Sequence, residues 1–354
     1  MENTIFKFSR SVHAWGGAAL ALLMLLISAT GTLLVWKQEY LCLTIPEARL
    51  TFVSTTEALA NIADATERQF NRDEVLLIEF ATAEFPLTKV TLSDSRYAYL
   101  DTQGRIVDQW TMNERWEEWL FDLHHRLLLG NRGLVIAGCA AMVMIVLLIA
   151  GVVSFWPLRR GFRQGLFPKS TARPQLLRAH RNIGVIEFLP LLLSLATGVI
   201  LAFPEQSQKL LLEPFRTEAY SLDFAEHVDS VSGGNSGEWL PAMQRALNTF
   251  PGSKIRTAQM PNAFSSYRII GLQQPGELHP QGLSKVYIDA RGGQMDIRID
   301  AQAQHITERI FNGGYPLHTG RFDNLVYKIL LTLSGVAIAT LSIIGLVSFI
   351  KGKM

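Results

Sequence analysis

The chain of 354 residues is long enough for two soluble domains, but 48% of its residues are hydrophobic and only 18% are charged. The formal net charge is +2, but the two long polar segments of the chain carry more acidic than basic residues. This excludes a nucleic-acid partner. The cysteines, Cys42 and Cys139, are predicted at different depths of a membrane, which excludes a disulfide between them.

The hydrophobic residues gather into four runs, each about as long as a helix needs to cross a bilayer. A bilayer offers no hydrogen bonds to exposed backbone, so each run is predicted to be a helix. The first run lacks a small-x-small cleavage site, so it is expected to stay in the mature protein rather than act as a signal peptide. The runs are Ala14–Trp36, Leu134–Trp156, Ile183–Pro204 and Leu325–Ile350.

Basic residues set the predicted orientation. The segment between the second and third runs carries Arg159, Arg160, Arg163, Lys169, Arg173, Arg178 and Arg181 and no acidic residue. By the positive-inside rule, this loop and both termini are expected in the cytoplasm and the two long polar segments outside. The predicted order is a first membrane helix in 1–37, an outer module in 38–122, a second helix in 123–158, a cytoplasmic loop in 159–179, a third helix in 180–205, an outer module in 206–316 and a fourth helix in 317–354.

The membrane segments repeat along the chain. His13 is followed by Gly17 and by Ala29-Thr30-Gly31, and His180 is followed at the same offsets by Gly184 and by Ala196-Thr197-Gly198. Leu123-His124 and Leu317-His318 are likewise followed at one shared offset by Gly151 and Gly345. We interpret the four helices as a tandem duplication of a two-helix unit.

The outer segments repeat as well. Tyr99–Gly104 matches Tyr287–Gly292, and both read as a strand that enters a tight turn. Helical spacing of apolar residues precedes each hairpin, at Thr55–Phe70 and Glu238–Phe250. Each outer segment is therefore predicted to be a small α+β module, and the first leads into a helix at about 113–129. The second copy adds a Gly- and Ser-rich stretch, Ser221–Gly237, and a longer loop, Gln273–Leu283, which is either flexible or a contact for a substrate or partner.

Four of the eight histidines, His13, His180, His124 and His318, belong to the repeat and stand at the entrances of membrane helices. Duplicated units pack about a two-fold axis, so each histidine is expected to face its repeat partner. Two imidazoles facing each other across a helical bundle can hold haem iron in six-coordinate form. The alternative is that they are interfacial residues satisfied by water or headgroups.

Other residues near these histidines fit the same hypothesis. Gly17 and Gly184 lie one turn after His13 and His180, where a side chain would strike a flat macrocycle. Arginines could bind haem propionates, or instead anchor helix ends at headgroups. The candidates are Arg10, Arg178 and Arg181 on the inner side and Arg126, Arg132 and Arg321 on the outer side. The remaining histidines, His125, His227, His279 and His305, are not expected to be ligands.

The same residues do not fit ion transport or a zinc site. A cation path would need Asp or Glu in mid-membrane, whereas the helix centres look uncharged and Glu187 falls near one end of its run. A zinc site would need three or four ligands at one depth, and each side offers two. No Cys-x-x-Cys-His motif is present for covalent haem.

With these motifs in hand, the sequence resembles the PepSY-associated transmembrane family, iron-regulated membrane proteins that include periplasmic ferric-siderophore reductases. The marks are Arg10-x-x-His13 with Thr30-Gly31, His180 with Thr197-Gly198, Leu123-His124, Leu317–Gly320 and the two hairpins. The resemblance implies a bacterial inner-membrane protein with two PepSY-like periplasmic modules and two haem b groups. It implies His13 with His180 for the inner haem and His124 with His318 for the outer haem. The implied partner is a ferric siderophore or ferric chelate in the periplasm.

Two rival functions also fit these sequence features. The chain could be a di-haem membrane anchor that passes electrons to a periplasmic or quinone partner. It could also be a non-enzymatic protein whose PepSY modules bind or inhibit a protease. No catalytic acid, base or nucleophile is evident, and the electron donor is not indicated because no dinucleotide-binding fingerprint is present.

Overall fold

The computed structural model describes residues 2–49, 54–161, 166–215, 238–262, 265, 267–289, 297–322 and 324–352. The chain forms two compact units. The helical unit comprises Met1–Trp36, Glu117–Ser207 and Leu317–Met354, and the sheet unit comprises Lys37–Trp116 and Gln208–Pro316. His227, the Ser221–Gly237 stretch, Arg163 and the turn after Asp289 fall outside the described residues.

The elements are named here in chain order. The helices are α1 (Glu2–Leu34), α2 (Lys37–Thr44), α3 (Thr56–Gln69), α4 (Trp116–Arg126), α5 (Gly130–Phe155), α6 (Arg173–Ile186), α7 (Phe188–Ala202), α8 (Pro204–Leu211), α9 (Trp239–Thr249), α10 (Ile306–Thr319) and α11 (Leu325–Lys351). The strands are β1 (Val75–Glu79), β2 (Thr88–Leu92), β3 (Arg96–Leu100), β4 (Ile106–Thr111), β5 (Lys254–Gln259), β6 (Tyr267–Gln273), β7 (Ser284–Asp289) and β8 (Ile297–Ile299).

The helical unit is built from apolar helices of membrane length. Within the described residues, three helices are long and apolar enough to cross a bilayer: α1 from Thr4, α5 and α11. A fourth span exists if α6 and α7, which meet at a bend of 68°, are counted as one segment. The chain is therefore a membrane-associated helical protein with three or four candidate spans. Met24, Ala140, Leu191, Leu195 and Ile338 form the buried core between these helices.

The third membrane segment starts earlier than its apolar run indicates. Helix α6 begins at Arg173, so residues 173–179, predicted in the cytoplasmic loop, are helical. Pro174 lies in the first turn, where its missing N–H costs no hydrogen bond and its fixed φ favours a helix. The basic residues that follow lower the hydropathy of this stretch, so the apolar run does not reveal where the helix begins. As a consequence Glu187, expected near one end of its run, lies midway between Arg173 and Ala202.

The helix that carries His124 stops before the membrane helix begins. A single helix at about 113–129 was predicted, but α4 ends at Arg126 and α5 starts at Gly130. Leu127 and Leu128 adopt left-handed φ values of 52° and 58°, which cost roughly 1–2 kcal/mol each for a residue with a side chain. Gly133 lies against the Arg126 carbonyl, so a side chain there would collide with this turn.

The sheet unit contains one antiparallel sheet of eight strands in the order β4-β3-β2-β1-β5-β6-β7-β8. Each polar segment supplies four strands, and the two halves join where Ile78 pairs with Ala258 and Glu79 with Thr257. Helices α3 and α9 bury their apolar faces against this sheet, around Met243 and Ile270. The two modules expected from the repeat therefore share a single sheet.

Asp101 and Glu277 organise two turns of this unit. Asp101 accepts hydrogen bonds from the backbone N–H groups of Gln103 (2.8 Å) and Arg105 (2.9 Å), which closes the first predicted hairpin turn. In the longer loop of the second half, Glu277 accepts hydrogen bonds from the backbone N–H groups of Gln274 and Leu283. The Gln273–Leu283 loop is thus closed by its own side chains.

Candidate functional site: two histidine pairs

The structure brings the four repeat histidines together in two pairs. The rings of His13 on α1 and His180 on α6, the first pair, have centroids 5.8 Å apart and planes inclined at 77°. The rings of His124 on α4 and His318 on α10, the second pair, have centroids 6.1 Å apart and planes inclined at 38°. Each histidine faces its own counterpart in the repeat, as the sequence predicted.

The two pairs lie at different levels of the helical unit. His13 lies in the first half of α1, whereas His124 contacts the second half of the same helix at the Ile27 carbonyl. Fourteen residues separate His13 from Ile27, which corresponds to about 21 Å along the helix at ~1.5 Å per residue. The chain therefore presents one imidazole pair toward each end of its membrane helices.

Backbone carbonyls fix the orientation of three of the rings. A carbonyl oxygen can only accept, so each bonded Nδ1 carries the hydrogen and each Nε2 keeps its lone pair. This is the tautomer in which Nε2 ligates a metal and Nδ1 is held by a second partner. The contacts are His13 Nδ1 to Leu147 O (2.8 Å), His124 Nδ1 to Ile27 O (2.9 Å) and His318 Nδ1 to Ser194 O (3.2 Å).

The Nδ1 atoms of the second pair have an additional neighbour, and that of His180 lacks a hydrogen bond. The hydroxyls of Thr30 and Thr197 lie 3.3 Å and 3.1 Å from Nδ1 of His124 and His318. His180 faces the carbonyl of Leu341, the repeat counterpart of Leu147, but its Nδ1 makes no hydrogen bond of normal geometry. The His180 ring is therefore the least firmly oriented of the four.

Glycines on neighbouring helices make room for each ring. A Cβ atom at any of these four positions would meet the Cε1 atom of a histidine at 3.2 Å or less. In the sequence these glycines stand at shared offsets from the histidines and mark the repeat, but their contact with the rings was not predicted. The pairs are Gly151 with His13, Gly345 with His180, Gly31 with His124 and Gly198 with His318.

Gly17 and Gly184 lie beside open space. A Cβ at Gly17 would meet no atom within 4 Å, and one at Gly184 would meet only Leu341, at 4.0 Å. These positions were predicted to leave room for a flat macrocycle beside the first pair, and the space around them is compatible with one.

The donor set fits haem better than a bare metal ion. An iron atom midway between two imidazole nitrogens, each about 2 Å away, places the ring centroids roughly 6 Å apart. The observed centroid distances of 5.8 Å and 6.1 Å match this spacing. Within the described part of the chain, no group of three or more His, Cys, Asp or Glu residues could hold a metal ion. Two imidazoles per site need the four further ligands that a porphyrin supplies.

The candidate propionate partners differ in their surroundings. Arg126, two residues after His124, is half-buried, and its Nε is buried without a hydrogen-bond partner. Arg181 donates to Asn182 Oδ1 at 3.1 Å. Arg178 and Arg321 are half-buried, while Arg10 and Arg132 are exposed. Of these, Arg126 is the cation best placed to meet an anionic group beside the second pair.

Sequence reasoning missed a further buried cation, Lys328 on α11. It is 9% exposed, and its Nζ lies 5.3 Å from the ring centroid of Trp36. A Cβ on Gly320, two residues after His318, would meet the Lys328 side chain at 3.4 Å. A lysine in the first turn of the fourth apolar run was the available signal.

The other histidines take ordinary structural positions where the chain is described. His125 stacks on Phe121, with ring centroids 5.2 Å apart, while His124 forms the ring pair with His318. His279 lies beside the Tyr315 ring, at 5.2 Å. His305 accepts a hydrogen bond from the Thr307 backbone N–H at the start of α10.

One comparison with known proteins identifies the family. The family model for the PepSY-associated TM region matches residues 10–351. The chain belongs to this family. The match spans nearly the whole PepSY-associated chain, including both histidine pairs. A search of curated proteins found no match.

Proposed function

We propose that this PepSY-associated protein is a transmembrane di-haem b electron-transfer protein that reduces ferric iron bound to a siderophore or similar chelate. The observation that carries the proposal is the geometry of the two imidazole pairs, whose Nε2 atoms are left free while their Nδ1 atoms face backbone carbonyls. Their two levels in the helical unit suit the transfer of electrons across a bilayer.

In this proposal His13 and His180 would hold one haem, and His124 and His318 the other. Haem iron, when bound, supplies one-electron redox chemistry. The chain's own residues orient the ligands: carbonyls on neighbouring helices fix three of the imidazole tautomers. Glycines on those helices let the rings approach the backbone, so the imidazoles are positioned before any cofactor arrives.

The substrate chemistry needs no acid or base from the protein. Siderophores bind Fe(III) through hard oxygen donors, and Fe(II) fits such ligands poorly. One electron therefore releases the metal and leaves the chelator intact. Glu117, Glu118 and Asp122 share α4 with His124, and a negative field there favours neutral or cationic chelates over anionic ones.

The proposed location is the inner membrane of a bacterium, with both termini and the basic loop at 159–179 in the cytoplasm. The second pair then serves the periplasmic side, where ferric chelates arrive. In this proposal an electron donor on the cytoplasmic side or in the membrane supplies the first pair.

A visible spectrum of detergent-purified protein tests the cofactor. Reduced-minus-oxidised bands of b-type haem are expected, and acid–acetone should extract about two protohaems per chain. Reduction of a ferric chelate without any added protein then tests the function. Haem without this activity would favour the anchor function, and a colourless protein would favour a role of the sheet unit in binding a protease.

A further inference from the structure

A carboxylate lies at the middle of the third membrane segment. Glu187 joins α6 to α7. Helices α5 and α11 pack along α6 and α7, and their central stretches, 133–155 and 329–350, carry no charged side chain. Helices α1 and α10 meet α6 and α7 at His13 and His318. An ionised carboxylate in such surroundings is costly and marks a functional site by default. The titratable groups on these helices are Arg132 and Cys139 on α5, Tyr327, Lys328 and Lys351 on α11, Glu2, Lys7, Arg10 and His13 on α1, and Glu308, Arg309, Tyr315 and His318 on α10.

The first copy of the repeat lacks this feature. The offsets that align His180 with His13 place Leu20 and Leu23 at the positions of Glu187 and Pro190. The offset that aligns His318 with His124 places Ala140 at the position of Ser334. Helix α1 accordingly runs unbroken from Glu2 to Leu34. Since one copy folds without the carboxylate and its partner, neither is needed to form the helix pair.

Pro190 accounts for the break beside Glu187. Proline has no N–H, so the carbonyl of Ile186, four residues earlier, cannot receive its usual helical hydrogen bond. The bend of 68° between α6 and α7 falls at this point. The break leaves a backbone acceptor next to the carboxylate within the membrane segment.

Ser334 is arranged to serve both protonation states of Glu187. Its Oγ lies 3.1 Å from Glu187 Oε2 and 3.0 Å from the Leu330 carbonyl, and the residue is 2% exposed. The hydroxyl has one hydrogen, and two acceptor groups lie within reach of it. It therefore donates to Glu187 when the carboxylate is charged. When Glu187 is protonated, the acid can donate to Ser334 Oγ while the hydroxyl turns to Leu330. No heavy atom has to move between the two states.

The carboxylate lies midway between the two histidine pairs along its own segment. Seven residues separate Glu187 from His180, and seven separate it from Ser194, whose carbonyl contacts His318. On α11, Ser334 is seven residues from Leu341, which faces His180. An electron that moves between the pairs therefore passes close to a carboxylate in a medium of low dielectric.

We propose that Glu187 is a redox-linked proton-binding site, an inference that rests on the proposed di-haem function. With haems held by the two pairs, an electron from a one-electron donor would add one negative charge near Glu187, and repulsion from that charge would favour the protonated carboxyl. One O–H bond forms on Glu187 as one O–H bond of a hydronium ion in the surrounding water breaks, and no other covalent bond changes. When the electron leaves for the ferric substrate, that O–H bond breaks and the proton returns to water.

Redox titrations of the purified holoprotein at a series of pH values test this. In the wild type the midpoint potential of at least one haem should fall as the pH rises, and Glu187→Gln should flatten that slope. Glu205→Gln, a change at an exposed glutamate on α8, is the matched control and should keep the slope. Reduced-minus-oxidised infrared spectra should gain a protonated-carboxyl band in the wild type that shifts in heavy water. Ser334→Ala should move this band, because the acid loses its hydrogen-bond partner.

The outcomes separate this inference from the proposed function. A wild-type protein with two haems whose potentials do not change with pH would overturn the proton site and leave the di-haem function standing. An unchanged slope in Glu187→Gln would also overturn it. A wild type without haem would instead remove the proposed function. If Glu187→Gln does not fold, the infrared band of the wild type decides, and its absence counts against the proton site.

Discussion

A Cβ atom placed on Gly31 of α1 would lie 2.7 Å from Cε1 of His124 on α4, closer than carbon atoms of two residues approach in folded proteins. The ring that forms half of the second pair therefore rests directly on the α1 backbone. The same helix turn supplies the Ile27 carbonyl that holds His124 Nδ1. Gly31 thus sets how near that ring can come to α1.

Gly31→Ala should displace His124 and lower the haem content from about two per chain toward one. The remaining haem should show the spectrum of the first pair. Gly151→Ala is the reciprocal test, because its Cβ would meet His13 at 3.1 Å, a contact that a small shift relieves. We expect a milder loss there, confined to the first pair. Haem content is measured by extraction and spectroscopy. Equal haem losses in Gly31→Ala and Gly151→Ala would contradict the prediction that Gly31→Ala loses more.

Replacing a histidine of either pair should remove one of the two proposed haems selectively. His124→Ala or His318→Ala should lose the second-pair haem and abolish ferric-chelate reduction, while the first-pair haem still accepts electrons from a membrane-permeant donor. His13→Ala or His180→Ala should leave a second-pair haem that dithionite reduces directly, with chelate reduction preserved under those conditions. Haem content and activity are measured on the same preparations.

His125→Ala is the matched control for His124→Ala. His125 stacks on Phe121 rather than facing His318, so its removal should keep both haems. If His125→Ala lost a haem and His124→Ala kept both, the repeat alignment would be wrong by one residue.

Gly104→Ala should destabilise the sheet unit. Gly104 has a φ of +74°, and its Cβ would lie 2.5 Å from Cβ of Ala65 on α3. Left-handed strain and overpacking together are expected to cost about 3 kcal/mol. Gly276→Ala shares the positive φ but meets nothing within 4 Å, so it should cost only about 1 kcal/mol. Urea unfolding of the full chain, followed by tryptophan fluorescence, compares the two, and similar costs would show that Ala65 exerts no steric constraint.

Asp101 should make stability depend on pH. Burial alone would raise the pKa of this carboxyl, but hydrogen bonds from Arg105 and Gln103 outweigh burial and hold the pKa below its usual value. A lowered pKa contributes stability above the unfolded value of about 3.9, and that contribution is lost as the pH falls through the folded value. Asp101→Asn should therefore cost about 1 kcal/mol at neutral pH and progressively less in acid. Urea unfolding of the wild type and of Asp101→Asn, at neutral pH and in acid, measures this cost. A difference in stability that does not change with pH would refute the prediction.

The orientation can be tested with a reporter that fluoresces only in the cytoplasm. Fused after Met354 it should be bright, and inserted near Asn235 it should be dark, because the basic loop holds the helix ends inside. The opposite pattern would reverse the assignment of the two faces and place the first pair on the outer side.

The pairing of the histidines was the feature predicted best from the sequence, because the repeat places the paired side chains at equivalent positions. The partners of His13 and His124 followed from shared offsets, since residues at equivalent positions of a duplicated unit meet across its axis. The glycines against the rings were visible in the same offsets, but their role depends on backbone approach, which a sequence does not display. Glu187 was placed near a helix end because the basic first turns of α6 do not look like a membrane helix.

The joining of the two outer segments could not be read from side-chain patterns. Ile78 and Ala258 pair through backbone hydrogen bonds, and either strand could equally have formed the edge of its own small sheet. The alternation of apolar residues fixes which face of a strand is buried, but it does not identify the neighbour.

The pairing of β1 with β5 has a consequence for biosynthesis. Strand β1 pairs on one edge with β2, which is close to it in the chain. Its other edge pairs with β5, which is synthesised about 180 residues later. At roughly 5–20 residues per second, that edge stays unpaired for about ten to forty seconds while α5, α6 and α7 are still being made. An open strand edge of this kind attracts other chains. The nascent protein is thus most vulnerable to aggregation in that interval, when a chaperone that shields strand edges would improve its yield.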